Sequence, residues 1–569
     1  LAFRAFCTTE RAFADVQSFS VTNMPLTLVL LLIFAALVAT ARRQHIGLRS
    51  PRNSFEDRVS QAAQLIAHAV IAVSAWKMLE FSSGVQTVVQ WAWVIGMTLV
   101  MVTNIKHMIW TLPDDGKRHI GKAMSGVPLY AWMAVITGIY FFFVEKHPTG
   151  PAIYLAKLSE YAVLYIKVAL YLWTGMILRD TQLGRICFDV LRPWRIPAEL
   201  LTVLVVVFAA VPTAYSGASG ILVLAVGATI YEELRRAGAT RQRALAATAM
   251  SGSLGVVLSP CLLVVIVASL NLDVTTDELY SWGWKVFLVM AVIFAIVTWV
   301  ARREPWTLQP TEGALGTSAV SARRLIPYVI IFAVVLAFSV LVLGTGINEQ
   351  TAPYMLPVAM LAIVPFERWR LGREAPDLAA SVSPAGDESQ PSAPAVLAAP
   401  RGAQRRTHLD TGTQIGALLM MMGLSACLGG VIERSNVMSI FPMDLGSPMV
   451  AMLVLVIALV LIGMIMDPYG AVILVTVTLY PIARANDIEP INFWMTALVS
   501  FVLGYLTPPV ALNHLLTRQV TQGLDPEGEA EDDDPSGTFW QRNERILLPV
   551  VVLTLTLALT AFGPILWRG

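Results

Sequence analysis

Charge is scarce in this chain. Asp, Glu, Lys and Arg make up 14% of its 569 residues, against about 25% in a typical soluble domain. That scarcity argues against a solvated globular protein, while the net charge of +1 by itself says nothing about partners; no nucleic acid is expected among them. Cysteine is scarce too. Cys7, Cys187, Cys261 and Cys427 are scattered without a CxxC pair, which argues against a disulfide framework and a metal knuckle. The seven histidines are dispersed, and none forms a recognisable motif with a carboxylate. No catalytic set of the kind a membrane-embedded enzyme places at one membrane face is visible. No catalytic residue, cofactor or resident metal is expected. Nor does any stretch read as a selectivity filter.

Apolar residues fill the space that charge leaves. They form 56% of the chain and the mean hydropathy is +0.65. Runs such as PLTLVLLLIFAALVATA (25–41) and LPVVVLTLTLALTAFGPIL (548–566) approach the roughly 20 residues needed to cross a 30 Å hydrocarbon core. The expected fold is an all-α polytopic membrane protein. About 12 spans are placed at 25–41, 62–80, 86–104, 127–145, 152–178, 244–270, 283–301, 325–345, 352–366, 411–432, 491–516 and 546–566. No cleavage pattern precedes the first run, so 25–41 is expected to be retained.

Basic loops give the sidedness. Arg-rich loops at 42–61, 179–196 and 235–243, Arg302–Arg303 and Arg368–Arg373 read as cytoplasmic, as does the Lys-rich loop 105–126. The loops between them, including 271–281 and 433–444, are poor in basic residues and read as outside. An Ala/Pro/Ser-rich stretch at 374–408 reads as a cytoplasmic linker. The chain is therefore divided into N-terminal helices (1–150), a first core half (151–366), a linker segment (367–410) and a second half (411–569).

Two apolar stretches, 197–235 and 445–485, break the pattern. The first contains YSGASGILVLAVGATIY (215–231) and leads to a helix interrupted at GSLGVVLSP (252–260). The second contains MDPYGAVILVTVTLY (466–480) and leads to a helix interrupted at GYLTPPVALN (504–513). Gly220 aligns with Gly470 and Gly255 with Gly504, at offsets of 250 and 249 residues. The first stretch starts and ends at cytoplasmic loops, the second outside, so the two units read as inverted repeats. Each odd stretch could be two full spans. Its second arm holds only 10–12 apolar residues, however, which favours a re-entrant hairpin with a tip at 216–220 or 467–470.

Irregular backbone at membrane depth persists only where protein or a polar cavity surrounds it. Read alone, SGASG is close packing of small residues, Pro508-Pro509 a kink and Asp467-Pro468 a surface loop. Their recurrence at matched positions argues for a site. Freed carbonyls and the hydroxyls of Ser216, Ser219, Ser253 and Thr507 are hard oxygen ligands suited to Na⁺, and Asp467 is the sole carboxylate in either tip. Pro468 is suited to begin the second arm, having no N–H to leave unpaired.

At these residues the chain resembles the large membrane subunit of the tripartite ATP-independent periplasmic (TRAP) transporters. Ser216-Gly217-Ala218-Ser219 is similar to that family's first tip and Asp467-Pro468-Tyr469-Gly470 to its second. Gly504 to Asn513 matches the closing Gly-x-Leu-Thr-Pro-Pro-Val-x-Leu-Asn motif at every fixed position. Val256 and Ser259 depart from prolines of the family. The resemblance, over about 160–520, implies an elevator-type, Na⁺-coupled importer of organic anions in the bacterial inner membrane. It also implies a periplasmic substrate-binding protein as partner, and a small membrane subunit that residues 25–145 would supply if fused. On this reading Ser216, Ser219, Ser253 and Gly255 form one cation site, and Asp467, Gly504, Thr507 and Pro508 a second. Gly217, Ala218, Gly470, Pro509 and Asn513 border the substrate. H⁺ is the alternative coupling ion, and a binding-protein-independent exchanger the alternative transporter.

Overall fold

The computed structural model describes residues 24–42, 51, 53–109, 119–160, 162–179, 181–216, 219–259, 261–302, 310–344, 351–381, 401–435, 442–466, 468–508, 511–521, 524 and 538–568. Among them there are helices and turns and no strand. Contacts divide the chain into two compact units: Leu1–Ala169 with Asp410–Val437, and Leu170–Leu409 with Met438–Gly569.

The first unit contains α1 (Met24–Ala41), α2 (Ser54–Met78), α3 (Val85–Ile109), α4 (Leu129–Ile139) and α5 (Gly150–Glu160). The Arg401–Arg434 helix packs among them from Asp410 onward. Its glycines explain why. Gly416 lies against the carbonyl of Ala35 and Gly430 against the ring of Tyr154, where any side chain would collide. Residues 151–160, 162–169 and 411–435, placed in the two core halves from sequence, fall in the same compact unit as the N-terminal helices. Asn53 caps α2, its Oδ1 accepting from Glu56 N at 2.9 Å, and Glu56 and Asp57 complement the helix dipole. The buried face of α2 is polar. His68 Nε2 pairs with Tyr130 Oη at 3.1 Å, and Tyr130 Oη donates to Gln64 Oε1 at 3.1 Å. Gln64 Nε2 donates to Ser60 Oγ at 3.1 Å. Inside an apolar bundle such a chain persists because its members satisfy one another.

The second unit holds both odd stretches. In chain order its central helices are α6 (Ala198–Ser216), α7 (Ser219–Arg236), α8 (Arg241–Met250), α9 (Leu262–Leu270) and α10 (Thr276–Val300). After the linker come α11 (Pro448–Ile465), α12 (Pro468–Thr478), α13 (Pro490–Leu506), α14 (Leu512–Thr521) and α15 (Phe539–Arg568). A 3₁₀ turn, Leu254–Val257, stands between α8 and α9. The caps are local. Thr240 accepts from Arg243 N at 3.4 Å, Thr275 from Glu278 N at 3.2 Å and Ser447 from Val450 N at 3.3 Å. Pro448 and Pro490 occupy the first turns of their helices, where a missing N–H costs nothing.

The contacts of this unit come in matching pairs. The 254–257 turn packs on α6, and α13 packs on α11. Helix α7 lies against α14, while α12 lies against α9. Helix α10 contacts α6, and α15 contacts α11.

Side-chain bonds join loops that the basic-residue pattern assigns to one side. Arg243 is buried and reaches Glu199 (2.5 Å) and Glu544 (2.7 Å), with a further bond of 2.8 Å to Ala301 O. Glu367 Oε1 accepts from Tyr328 Oη at 2.8 Å and Gln182 N at 2.9 Å. Burial raises the Glu367 carboxyl above its ordinary value, opposed by these two donors and by Arg370. On the other side Asp273 Oδ2 accepts from Tyr480 Oη at 2.6 Å and pairs with Arg484 at 3.2 Å.

Among the described residues seven helices are long and apolar enough to cross a membrane, so the chain is a multi-pass membrane protein. Of the expected segments, 25–41 forms the 18-residue helix Met24–Ala41 and 127–145 a helix over Leu129–Ile139 that runs on as a π turn to Val144, while 244–270 and 491–516 are each broken in the middle. The 374–408 stretch is helical to Ser381 and again from Arg401. Its centre, 382–400, lies outside the described residues.

Candidate functional site

Four interruptions of helix occur in the second unit, and they fall where the sequence places them. Helix α6 ends at Ser216 and α7 starts at Ser219. Helix α11 ends at Ile465 and α12 starts at Pro468. The remaining two are the stretch 251–261 between α8 and α9, and 507–511 between α13 and α14. Gly217, Ala218, Asp467 and Pro509 lie outside the described residues, and the side chains of Ser216 and Ser219 likewise.

At each broken helix one glycine meets the last turns of a helix, α6 or α11. A Cβ on Gly255 would strike Ala210 O and stand 2.7 Å from Thr213 Cβ on α6. A Cβ on Gly504 would strike the Gly463 carbonyl carbon and stand 2.7 Å from Met464 N on α11. Real Cβ atoms do not approach that closely, so both positions require glycine for backbone contact. Gly255 and Gly504 are the two residues that the repeat alignment equates. The first break is tied further by Thr213 Oγ1, which donates to Ala209 O at 2.8 Å and approaches Ser251 O at 3.5 Å.

The two breaks adjoin. The 254–257 turn contacts α13, and Asn513 joins segments from before and after the linker. Its Nδ2 donates to Ala249 O at 3.2 Å, and its Oδ1 stands 3.7 Å from a Cβ built on Gly220. One side chain thus brings together α8, α7 and α14, and it is fully buried. His514 follows it in the first turn of α14. Ala511, between Pro508 and this helix, has a left-handed φ of 46°. A non-glycine residue held there stores about 1–2 kcal/mol, the kind of strain that clusters at ligand sites.

The oxygen donors are specific. Ser253 is buried, and its Oγ has no hydrogen-bond partner among the described residues. A buried hydroxyl left so costs about 1–3 kcal/mol, unless something else uses its lone pairs. Thr507 Oγ1 donates to Leu503 O at 2.7 Å, which leaves its own lone pairs available to accept. Pro508 is exposed and Gly470 half-buried in the first turn of α12. The start of α12 and the start of α7 each present a helix N-terminus at a break, a place that favours an anionic group.

One feature is absent from the sequence reading. Asn492, Thr496 and Ser500 are buried on α13, four residues apart, and lead to Gly504. Among the described residues, Asn492 Oδ1, Thr496 Oγ1 and Ser500 Oγ all lack a hydrogen-bond partner. Spacing of four was the available signal, but hydroxyls on an apolar helix usually bond back to their own backbone, so the pattern carries no distinction by itself.

Comparison with known proteins follows this geometry. Residues 124–564, which include every interruption described above, match the family described as "Tripartite ATP-independent periplasmic transporter, DctM component". The chain is 22% identical over 314 residues to the "C4-dicarboxylate TRAP transporter large permease protein DctM" of Pseudomonas aeruginosa, an alignment covering 54% of this chain and 66% of that one. It is 22% identical over 317 residues to the protein of the same name from Vibrio cholerae, with the same two coverages. It thus spans just under two thirds of the length of these relatives. The "Isethionate TRAP transporter permease protein DctMQ" of Oleidesulfovibrio alaskensis is 21% identical over 152 residues, 26% of this chain and 22% of that one. With the family's pattern running through more than half of its length, this chain belongs to the DctM component family of the tripartite ATP-independent periplasmic transporters.

Proposed function

We propose that the chain is the membrane permease of a tripartite importer that carries a small organic anion, a carboxylate, across the bacterial inner membrane by coupling to Na⁺. A soluble periplasmic protein would deliver the substrate. The single observation that carries this reading is Ser253: a buried hydroxyl without a partner among the described residues, in a turn whose glycine is pressed onto helix α6 and whose proposed repeat counterpart, Gly504, is pressed likewise onto α11.

In this account Ser216, Ser219, Ser253 and Gly255 provide the first cation site, from hydroxyls and freed carbonyls. Asp467, Gly504, Thr507 and Pro508 provide the second, with protonation of Asp467 as the alternative to Na⁺. The substrate anion lies between the helix N-termini at Gly217–Ala218 and Gly470, against Pro509 and Asn513. A bound cation neutralises the site and orders the breaks, so the anion binds more tightly to the loaded form; by reciprocity the anion tightens the cation. The matching contact pairs support an inverted repeat, two copies of one split-helix unit. Hairpins and broken helices then move as one body, elevator fashion. The kinship to a protein named DctMQ supports reading the N-terminal helices as a fused small subunit.

The test is uptake into proteoliposomes with the cognate binding protein while Na⁺ is titrated. Removing one hydroxyl that binds a charge costs roughly 1.5–3 kcal/mol, so Ser253→Ala or Thr507→Ala raises the Na⁺ needed for half-maximal uptake by about tenfold or more at unchanged folded yield. Unaltered Na⁺ dependence in both variants rejects the site. Equal uptake without the binding protein rejects the tripartite reading.

A further inference from the structure

At the ends remote from the breaks, polar groups tie three helices together. Asn271 follows the last residue of α9 and is 4% exposed. Its Nδ2 donates to Val267 O at 2.8 Å on its own helix and to Thr476 Oγ1 at 3.3 Å on α12. Two residues further on, Asp273 Oδ2 accepts from Tyr480 Oη at 2.6 Å and pairs with Arg484 at 3.2 Å. Both partners belong to the short helix Tyr480–Ala485 that follows α12. The Tyr480 ring in turn packs on Phe493 and Trp494 in the first turns of α13, with centroids 5.5 and 5.6 Å away.

The lengths of the arms relate these ties to the breaks. Asn271 comes nine residues after Leu262, where α9 starts beside the first break, about 13 Å along a helix. Thr476 comes eight residues after Pro468, where α12 starts, about 12 Å along a helix. The two helices lie against each other and both run away from an interruption. The Asn271–Thr476 bond therefore sets their first residues level to within about 2 Å. Phe493 stands eleven residues before Gly504, about 16 Å, so the break after α13 is also one short helix away from the same cluster. An apolar face alone fixes the register of two helices weakly, and α12 buries Ala471, Val472, Leu474 and Val475. A polar pair set among apolar side chains specifies it.

We propose that Asn271–Thr476 and Asp273–Tyr480 form a positioning brace for the cation sites: they fix the level of α12 against α9 and α13, and so hold the second tip at the two breaks before an ion arrives. The inference rests on the cation sites proposed above, which adjoin the starts of α9 and α12 and the end of α13. None of the four side chains touches an ion in this account; they act through the helices that carry them. Without the ties, Na⁺ binding itself has to fix α12, and that ordering cost moves into the binding step. A contact that only stabilises the fold behaves differently. Its loss lowers the melting temperature equally with and without Na⁺ and leaves the affinity as it was.

The experiment is equilibrium ²²Na⁺ binding to the purified full chain by scintillation proximity, with melting temperatures taken in Na⁺ and in choline buffer. Thr476→Val and Tyr480→Phe each remove one oxygen. Asn271 Nδ2 then keeps Val267 O, and Asp273 keeps Arg484. The proposal predicts a Kd raised about fivefold in the double variant, the order of one interhelical hydrogen bond. The rise in melting temperature on adding Na⁺ shrinks, while melting in choline stays within about 5 °C of the parent. Thr476→Ser, which keeps the hydroxyl, binds like the parent. Should the double variant not fold, Tyr480→Phe decides alone, with a Kd raised about threefold. A parental Kd in the double variant or in Tyr480→Phe, or Thr476→Ser as weak as Thr476→Val, overturns the brace and leaves the cation sites standing. No saturable Na⁺ binding by the folded parent removes the sites and the brace together.

Discussion

Replacing Arg243 by Leu tests how the second unit is held together at the end that carries its basic loops. Arg243 is 3% exposed and Glu544 1%. The guanidinium reaches Glu199 at 2.5 Å and Glu544 at 2.7 Å, and also donates to Ala301 O at 2.8 Å. It therefore ties together α8, α6, α15 and the end of α10. A surface ion pair of this kind contributes little, but here the partners are out of water. Leu at 243 leaves two buried carboxylates facing each other and a carbonyl without its donor. Breaking a buried pair in this way costs about 3–5 kcal/mol. At roughly 2–4 °C per kcal/mol, the apparent melting temperature in detergent falls by roughly 6–20 °C. The readout is fluorescence-detected size exclusion after heating at a fixed scan rate. A triple variant, Arg243→Leu with Glu199→Leu and Glu544→Leu, recovers most of the loss, since apolar residues of similar volume replace a buried ion group at little cost. A melting temperature for Arg243→Leu within 2 °C of the parent, a third of the smallest expected drop, or no recovery in the triple variant, refutes the reasoning.

Other predictions follow from the same coordinates. Gly255→Val and Gly504→Val drive a side chain into backbone of α6 and α11; each costs at least about 1–3 kcal/mol, seen as lost folded yield, while Gly121→Val, in open space, leaves the yield unchanged. Ala511→Gly releases the strain of the left-handed residue and raises the melting temperature, with weaker substrate coupling read as a smaller Na⁺ effect on uptake. Glu367 has its carboxyl raised by burial. The unfolded chain gives up its proton near the ordinary value of about 4.3 and the folded one at higher pH. Stability from this group is therefore present at acid pH and declines as pH rises from that value through the raised one. Glu367→Gln, which keeps the acceptor for Tyr328 and Gln182, flattens that part of the melting-versus-pH curve; an identical slope in variant and parent contradicts it.

Much of the arrangement was legible in the residues because the membrane limits the choices. The basic loops grouped 179–196, 235–243 and Arg302–Arg303 on one side, and Arg243 bonds Glu199 and Ala301, which adjoin two of them. They grouped 271–281 with the end of the second odd stretch, and Tyr480 and Arg484 meet Asp273 there. Gly and Pro marked the interruptions, since few other residues tolerate them: α12 begins at Pro468, and Gly255 and Gly504 both lie where no side chain fits. Asn513 was picked out only by resemblance to a family motif, and its bond to Ala249 O explains its presence without that resemblance. What escaped the sequence reading lacks a local pattern. The polar face of α2 around His68 reads as an ordinary apolar span with a few polar letters, and its partners are more than 30 residues away. The α13 row Asn492, Thr496, Ser500 is ambiguous until the missing partners of its oxygens are seen.

The most direct test of the cation site is equilibrium binding of ²²Na⁺ to the purified chain by scintillation proximity, which needs neither the substrate nor its delivery protein. The account predicts saturable binding that unlabelled Na⁺ displaces and K⁺ does not, weakened about tenfold in Ser253→Ala and unchanged in Lys285→Gln. No saturable binding by folded protein, or binding of equal strength in Ser253→Ala, contradicts it.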